Sequence, residues 1–176
     1  VCSSDLSTQN DKVAVQFTGG ISVNTRAAGL AWADGDMIGI FMTGTKQPLS
    51  ADAIKEGVDN VCYQSNGSIG FSPVSGGKTI FFPIDGDVDF YSYYPQTTVN
   101  DYKVALDVTD QGIQEAIDFM YAKTEGCNKA TPQVFLKFYH KLSNLILDVQ
   151  PGNGLTQEDL KNMTVTVRSE EHTSEL

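Results

Sequence analysis

Val134-Phe135-Leu136-Lys137-Phe138-Tyr139-His140-Lys141 decides the fold class. Val134, Leu136, Phe138 and His140 fall on one face, and Phe135, Lys137, Tyr139 and Lys141 on the other. That is the period-two alternation of a strand with one buried side. The pattern runs on into Leu145 to Val149 until Pro151-Gly152-Asn153-Gly154 breaks it. Working outward, the same signature recurs between turn residues spaced about ten apart, as in an all-β domain. Met37 to Thr43 is apolar on both faces, as a central strand covered on both sides would be. Asn66-Gly67 between Asn60–Gln64 and Ser68–Ser72 reads as a hairpin. Lys78–Phe82 and Val88–Tyr94 read as a further strand pair, and Tyr102, Val104, Leu106 and Val108 alternate with polar neighbours. Ile117–Ala122 is a short segment whose type the pattern leaves open.

The first strand is Val13, Val15 and Phe17, alternating with Lys12, Ala14, Gln16 and Thr18. Gly19-Gly20 then predicts a bulge or bend before Ile21 and Val23. Asn24 to Asp36 reads as loop, and Met163 to Val167 as a last strand. Helix signals are few: one turn within Leu49–Gly57 with Ser50 as cap, and one over Thr156–Lys161 with Thr156 and Asp159 as a capping pair. The expected architecture is an all-β sandwich with one or two short helical turns.

Composition narrows the partners. Twelve Lys and Arg against 22 Asp and Glu give a net charge of −10. No basic stripe is left to neutralise phosphates, and an anionic membrane surface would repel the chain. No nucleic-acid partner is expected. With 40% hydrophobic and 19% charged residues the chain is too apolar to be disordered. Its longest apolar runs, such as Leu145-Ile146-Leu147, fall far short of the roughly 20 residues of a membrane helix.

The two ends read as translated sequencing adapter. GTG TGC TCT TCC GAT CT encodes Val1-Cys2-Ser3-Ser4-Asp5-Leu6, and its reverse complement, AGA TCG GAA GAG CAC AC, encodes Arg168-Ser169-Glu170-Glu171-His172. One piece of DNA accounts for both, so residues 1–6 and 168–176 are set aside as artefact and 7–167 are read as a gene fragment. On that reading Cys2 is no lipid-attachment cysteine, His172 is no ligand, and any signal peptide lies outside the fragment.

Few residues invite chemistry. His140 is the one histidine of the natural chain, and a nucleophile system would have to be built on it. Its neighbours Phe138 and Leu136 fit a hydrogen-bonded strand histidine better. Gly77-Lys78-Thr79 imitates the end of a phosphate loop, but Ser72 stands where the first glycine belongs. Asp85, Asp87 and Asp89 have the alternate spacing that opens a calcium loop, yet glycine falls at Gly86 and the twelfth position is Gln96; a polar turn leading solvent-side into the next strand is the plainer reading. Cys62 and Cys127 have no zinc spacing, and whether they form a disulfide is left open. Tyr91, Tyr93 and Tyr94 could stack on sugar rings or belong to the core. No catalytic residue, cofactor or metal site is assigned, and an enzyme is not expected.

Thr25-Arg26-Ala27 and Trp32-Ala33-Asp34-Gly35-Asp36-Met37-Ile38-Gly39-Ile40-Phe41-Met42 resemble the fimbrillin (Mfa-like, FimA-like) family of anaerobe surface pilins. Asn60-Val61-Cys62-Tyr63, Ile80-Phe81-Phe82-Pro83, Val88 through Pro95, Phe119-Met120-Tyr121-Ala122 and Phe138 through Ser143 follow in the family's order. The resemblance implies a transthyretin-like Greek-key β-sandwich as an N-terminal domain, normally followed by a second sandwich that the fragment lacks or barely enters. It implies export as a lipoprotein to the outer membrane and a place on the cell surface or in a fimbrium. It further implies an arginine-directed protease that removes an early strand, so that a neighbouring subunit supplies a replacement, joining subunits head to tail.

Arg26-Ala27 is the matching processing site, and the displaced strand is the segment carrying Val13, Val15, Phe17, Ile21 and Val23. Arg26 also lies in a Gly- and Ala-rich stretch between two strands, where a chain can enter a protease cleft or can simply be a solvated loop. The competing reading is a surface adhesin or fibre-tip module that keeps its first strand and binds a host glycan or protein through loops or tyrosines.

Overall fold

The computed structural model describes residues 12–22, 31–107, 109, 117–142, 147–161 and 163–166. The chain divides into two compact units, residues 1–143 and 144–176. Among the described residues the first contains seven strands: β1 (Gln16–Ile21), β2 (Asp34–Gly44), β3 (Val61–Asn66), β4 (Gly70–Pro73), β5 (Val88–Tyr94), β6 (Met120–Cys127) and β7 (Gln133–His140). They pair in the order β1-β4-β3-β2-β5-β6-β7, and β7 returns to β1, so the sheet is a closed barrel. The composition and alternation predict the all-β class. The expected transthyretin-like sandwich would have two sheets, whereas these strands make one circuit, because β1 bonds to β4 on one side and to β7 on the other.

The predicted alternation is plainest in β7, where Val134, Leu136 and Phe138 are buried and Gln133, Phe135, Lys137 and Tyr139 exposed. β2 is buried on both faces from Ile38 to Gly44. Ile38, Ile40 and Met42 point into the barrel core with Phe17, Tyr63, Phe90 and Phe138, while Phe41 joins Tyr91 and Tyr93 in a second apolar cluster. Asn66-Gly67 turns the predicted hairpin, with Gly67 at φ +74° and Ser65 opposite Phe71. Six residues of β2 pair with β5, from Gly39 opposite Tyr93 to Gly44 opposite Val88. The helical turn near Ser50 is a 3-10 turn, Ala51–Ala53.

Several expectations are corrected. β1 does not bend at Gly19-Gly20: six consecutive residues, Gln16 to Ile21, pair with β7. Lys78–Phe82 is not a strand paired with Val88–Tyr94; it lies beside residues 13–15, with Ala14 bridged to Phe81. Among the described residues Tyr102–Leu106 form no strand either, since Asp101 and Tyr102 take left-handed backbone (φ 49° and 56°) and only Asn100 and Lys103 bridge; Val108 lies outside the described residues. Part of the predicted loop is core, for Trp32 is 5% exposed and β2 begins at Asp34.

Among the described residues the second unit carries one short helix, α1 (Gln157–Leu160), started by the predicted pair: Thr156 N–H and Oγ1 donate to Asp159 Oδ2 at 2.8 and 2.7 Å. Its residues 147–149 and 163–166 are not in strands, which the alternation there predicts, and Leu147, Val149, Met163 and Val165 are exposed. Residues 145, 146 and 167 of those predicted strands lie outside the described residues.

Candidate functional site

β1 carries Phe17 and Ile21 of the segment that the resemblance expects to be displaced. Its sequence, Gln-Phe-Thr-Gly-Gly-Ile, is uncharged. One edge meets β4 antiparallel, Phe17 opposite Phe71 and Thr18 opposite Gly70. The other meets β7 in parallel, from Gln16 opposite Gln133 to Ile21 opposite Phe138. Hydrogen bonds extend past the strand at both ends: Gln16 N–H donates to Pro132 O and Ser22 N–H to Phe138 O, both at 2.8 Å, while Phe82 N–H donates to Val13 O at 2.9 Å.

The inward residues are those the alternation selects. Val15 and Phe17 are 6% and 2% exposed, and Val13 and Ile21 pack half-buried against the same core. The Phe17 ring meets Tyr63 and Phe90 edge to face at 5.3 and 5.1 Å, a favoured aromatic geometry. Gly19 faces the same way. A Cβ there would stand 2.9 Å from Phe71 Cε2 and 3.3 Å from Phe138 Cε2, and one at Gly20 would stand 3.1 Å from Phe135 Cζ. The glycines therefore make room for rings from neighbouring strands, where the sequence suggests a bend. Trp32 closes over the notch, donating Nε1–H to Gly19 O at 3.2 Å and packing its ring 4.9–5.5 Å from Phe71, Tyr94 and Phe138. Sequence reasoning missed this role for Trp32; a lone tryptophan just before a strand was the available signal.

Val23, Arg26 and Ala27 lie outside the described residues. In sequence they fall between Ser22, at the end of β1, and Trp32, so the processing reading concerns the connection between the first strand and its aromatic cover.

The remaining candidates take structural parts. His140 Nδ1 is 2.7 Å from Asp118 Oδ1. Asp89 is fully buried instead of facing solvent, and its oxygens accept from Thr45 Oγ1, Lys46 N–H and Gly126 N–H at 2.8–2.9 Å. Burial alone would raise its pKa, but these donors bring it below the usual carboxylate value. Asp87 accepts from Asn128 Nδ2 at 3.0 Å. Cys62 on β3 and Cys127 on β6 are free thiols with pKa values raised by burial, that of Cys127 to about 11. Tyr91 and Tyr93 point to the outer cluster and are buried, whereas Tyr94 turns to the barrel core. The three rings form no common platform for a sugar.

Residues 25–175 match the family model described as fimbrillin-like. The chain belongs to the fimbrillin-like family. A relative from Bacteroides uniformis named "Putative fimbrium subunit Fim1C" is 37% identical over 170 residues, covering 91% of this chain and 53% of its own length. Among solved structures, a "putative cell adhesion protein" of Bacteroides uniformis ATCC 8492 is 37% identical with a TM-score of 0.59, over 75% of this chain and 49% of that one. Another so described, from Bacteroides ovatus ATCC 8483, is 25% identical with a TM-score of 0.51, over 74% and 53%. This fimbrillin-like chain thus spans about half the length of the relatives it matches.

Proposed function

We propose that this fimbrillin-like chain is a structural subunit of a cell-surface fimbrium, joined to its neighbours when the segment carrying Val13, Val15, Phe17, Ile21 and Val23 is cut away at Arg26-Ala27 and a strand from another subunit takes its place. The observation that carries this is the position of β1 between β4 and β7, hydrogen-bonded on both edges. Its departure would open two backbone edges at once and uncover the places of Val15 and Phe17. At about 1.5–3 kcal/mol for each buried side chain, that groove favours refilling. An extended segment of a second copy answers both needs, through backbone pairing and through side chains in alternate pockets. Because donor and groove are different surfaces, the contact repeats head to tail into an open fibre. Anchoring in the outer membrane as a lipoprotein belongs to the same proposal, as does an arginine-directed protease partner.

The names of the solved relatives favour a second reading, an adhesin or tip module that keeps β1 and binds a host glycan or protein. Treating the folded protein with an arginine-specific protease separates them. The pilin reading expects cleavage after Arg26, then ladders on a denaturing gel that resist mild heating, and neither from Arg26→Ala. An uncut wild type, or ladders of equal length from the variant, refutes it.

A further inference from the structure

On the outer face of β2, β5 and β6 a cavity of about 240 Å³ is lined by six aromatic rings: Phe41, Tyr91, Tyr93, Tyr102, Phe119 and Tyr121. Phe41, Tyr93 and Phe119 stack in sequence, with centroids 6.1 and 6.0 Å apart, and Tyr102 meets Phe41 edge to face at 5.8 Å. The tyrosine hydroxyls nearest the sheet are committed elsewhere. Tyr91 Oη donates to Gln47 O at 2.8 Å, and Tyr93 Oη lies 2.7 Å from both Asn60 Oδ1 and Thr97 O. What these two offer the cavity is ring surface. A second pocket of about 260 Å³, lined by Asp59, Asn60 and Asp101, shares Val99 and Tyr102 with the first. The two form an aromatic chamber with an acidic approach.

We propose that this chamber binds a small organic cation, an ammonium group on an apolar body, whose charge lies against the rings and toward Asp59 and Asp101. A cation within about 6 Å of an aromatic centroid is attracted by the ring's negative face, the more so when partly desolvated. Two of the rings already attract cations: Lys123 Nζ lies 5.1 Å from the Tyr91 centroid and Lys141 Nζ 5.1 Å from that of Tyr121. Neither Tyr91 nor Tyr121 lines the pocket of Asp59 and Asp101, whereas Tyr102 does, so the ligand's charge is assigned to that end. Burial, and after it the nearby carboxylates of Asp59, Asp101 and Asp52, raises the pKa of Tyr102. Lys103 offsets little of it, standing 3.8 Å from Asp101 with both side chains more than four-fifths exposed. A sugar fits less well, since its hydroxyls would enter a largely apolar chamber without partners.

The test titrates the whole chain at pH 7 with 2-phenylethylamine, 2-phenylethanol and 3-phenylpropionate, reading affinity by calorimetry and the residues involved by NMR shifts. The amine should bind at least about tenfold tighter than either match, an advantage that shrinks with added salt. The double variant Asp59→Asn, Asp101→Asn should lose that preference while keeping its affinity for the alcohol. Asn suits position 101, where the backbone is left-handed. Equal binding of all three probes, preference for the acid, or no amine binding at about 10 mM overturns the proposal. So do shifts at Tyr102 with N-acetylglucosamine but not with the amine. If the variant fails to fold, the three-probe comparison and its salt dependence on the wild type decide alone. Neither arm depends on β1 being displaced, so the cation site and the fimbrial reading fail separately.

Discussion

Replacing Phe17 by alanine tests whether β1 belongs to the hydrophobic interior. The ring is 2% exposed and contacts Tyr63 and Phe90 edge to face. Truncating a core phenylalanine costs about 3–5 kcal/mol, from lost transfer energy and the cavity left behind. For a domain of this length each kcal/mol lowers the melting temperature by about 2–4 °C, so Phe17→Ala should melt roughly 6–20 °C below wild type. Circular dichroism or dye-based melting of the uncut chain provides the assay, with two controls. Gln16→Ala, exposed on the same strand, should change stability by less than about 0.5 kcal/mol. Phe138→Ala, fully buried on β7, should match Phe17→Ala. If Phe17→Ala melts with Gln16→Ala while Phe138→Ala collapses, β1 contributes nothing to the core and its removal could not create a groove worth refilling.

Asp89→Asn should destabilise by about 1–3 kcal/mol, because an amide nitrogen would replace one of two oxygens that accept three hydrogen bonds. Since the folded pKa of Asp89 is lowered, its stabilisation is fully present above the unfolded value near 3.9 and is lost as pH falls through the folded one. The acid limb of a stability–pH profile should therefore be shallower in the variant, and superimposable limbs refute the assignment. With its pKa raised to about 11, Cys127 should alkylate one to two orders of magnitude more slowly than a free thiol at pH 8, and rapidly once unfolded. Peptide mass mapping after iodoacetamide reads this, and labelling at the free-thiol rate contradicts it.

Much of the fold was legible wherever partners are local or burial is one-sided. The faces of β7 and the Asn66-Gly67 hairpin follow from alternation and turn chemistry alone. Glycines inside strands were misleading because one residue type serves two purposes: Gly19 reads as a bend but answers to the rings of Phe71 and Phe138. Lys78–Phe82 has strand composition, yet its partner is Ala14, far back in the sequence. The same distance hides the parallel pairing of β1 with β7, for which neither segment carries a local signal. Asp89 looked like a solvent-side acid because the groups that hold it, at Thr45, Lys46 and Gly126, lie about 40 residues away in either direction. Of the candidate site, the inward set Val13, Val15, Phe17 and Ile21 followed from period two, whereas its tryptophan cover did not.

The notch at Gly19 also acts as a gauge of alignment. Shifting β1 by two residues would preserve which face is apolar, so hydrophobicity alone would tolerate the slip. It would also carry Phe17 or Ile21 to the spot where even a methyl group lies 2.9 Å from Phe71. Any chain settling into this seat must bring a glycine to the same level, and a polymer joined through such seats would have one repeat length, the same at every junction.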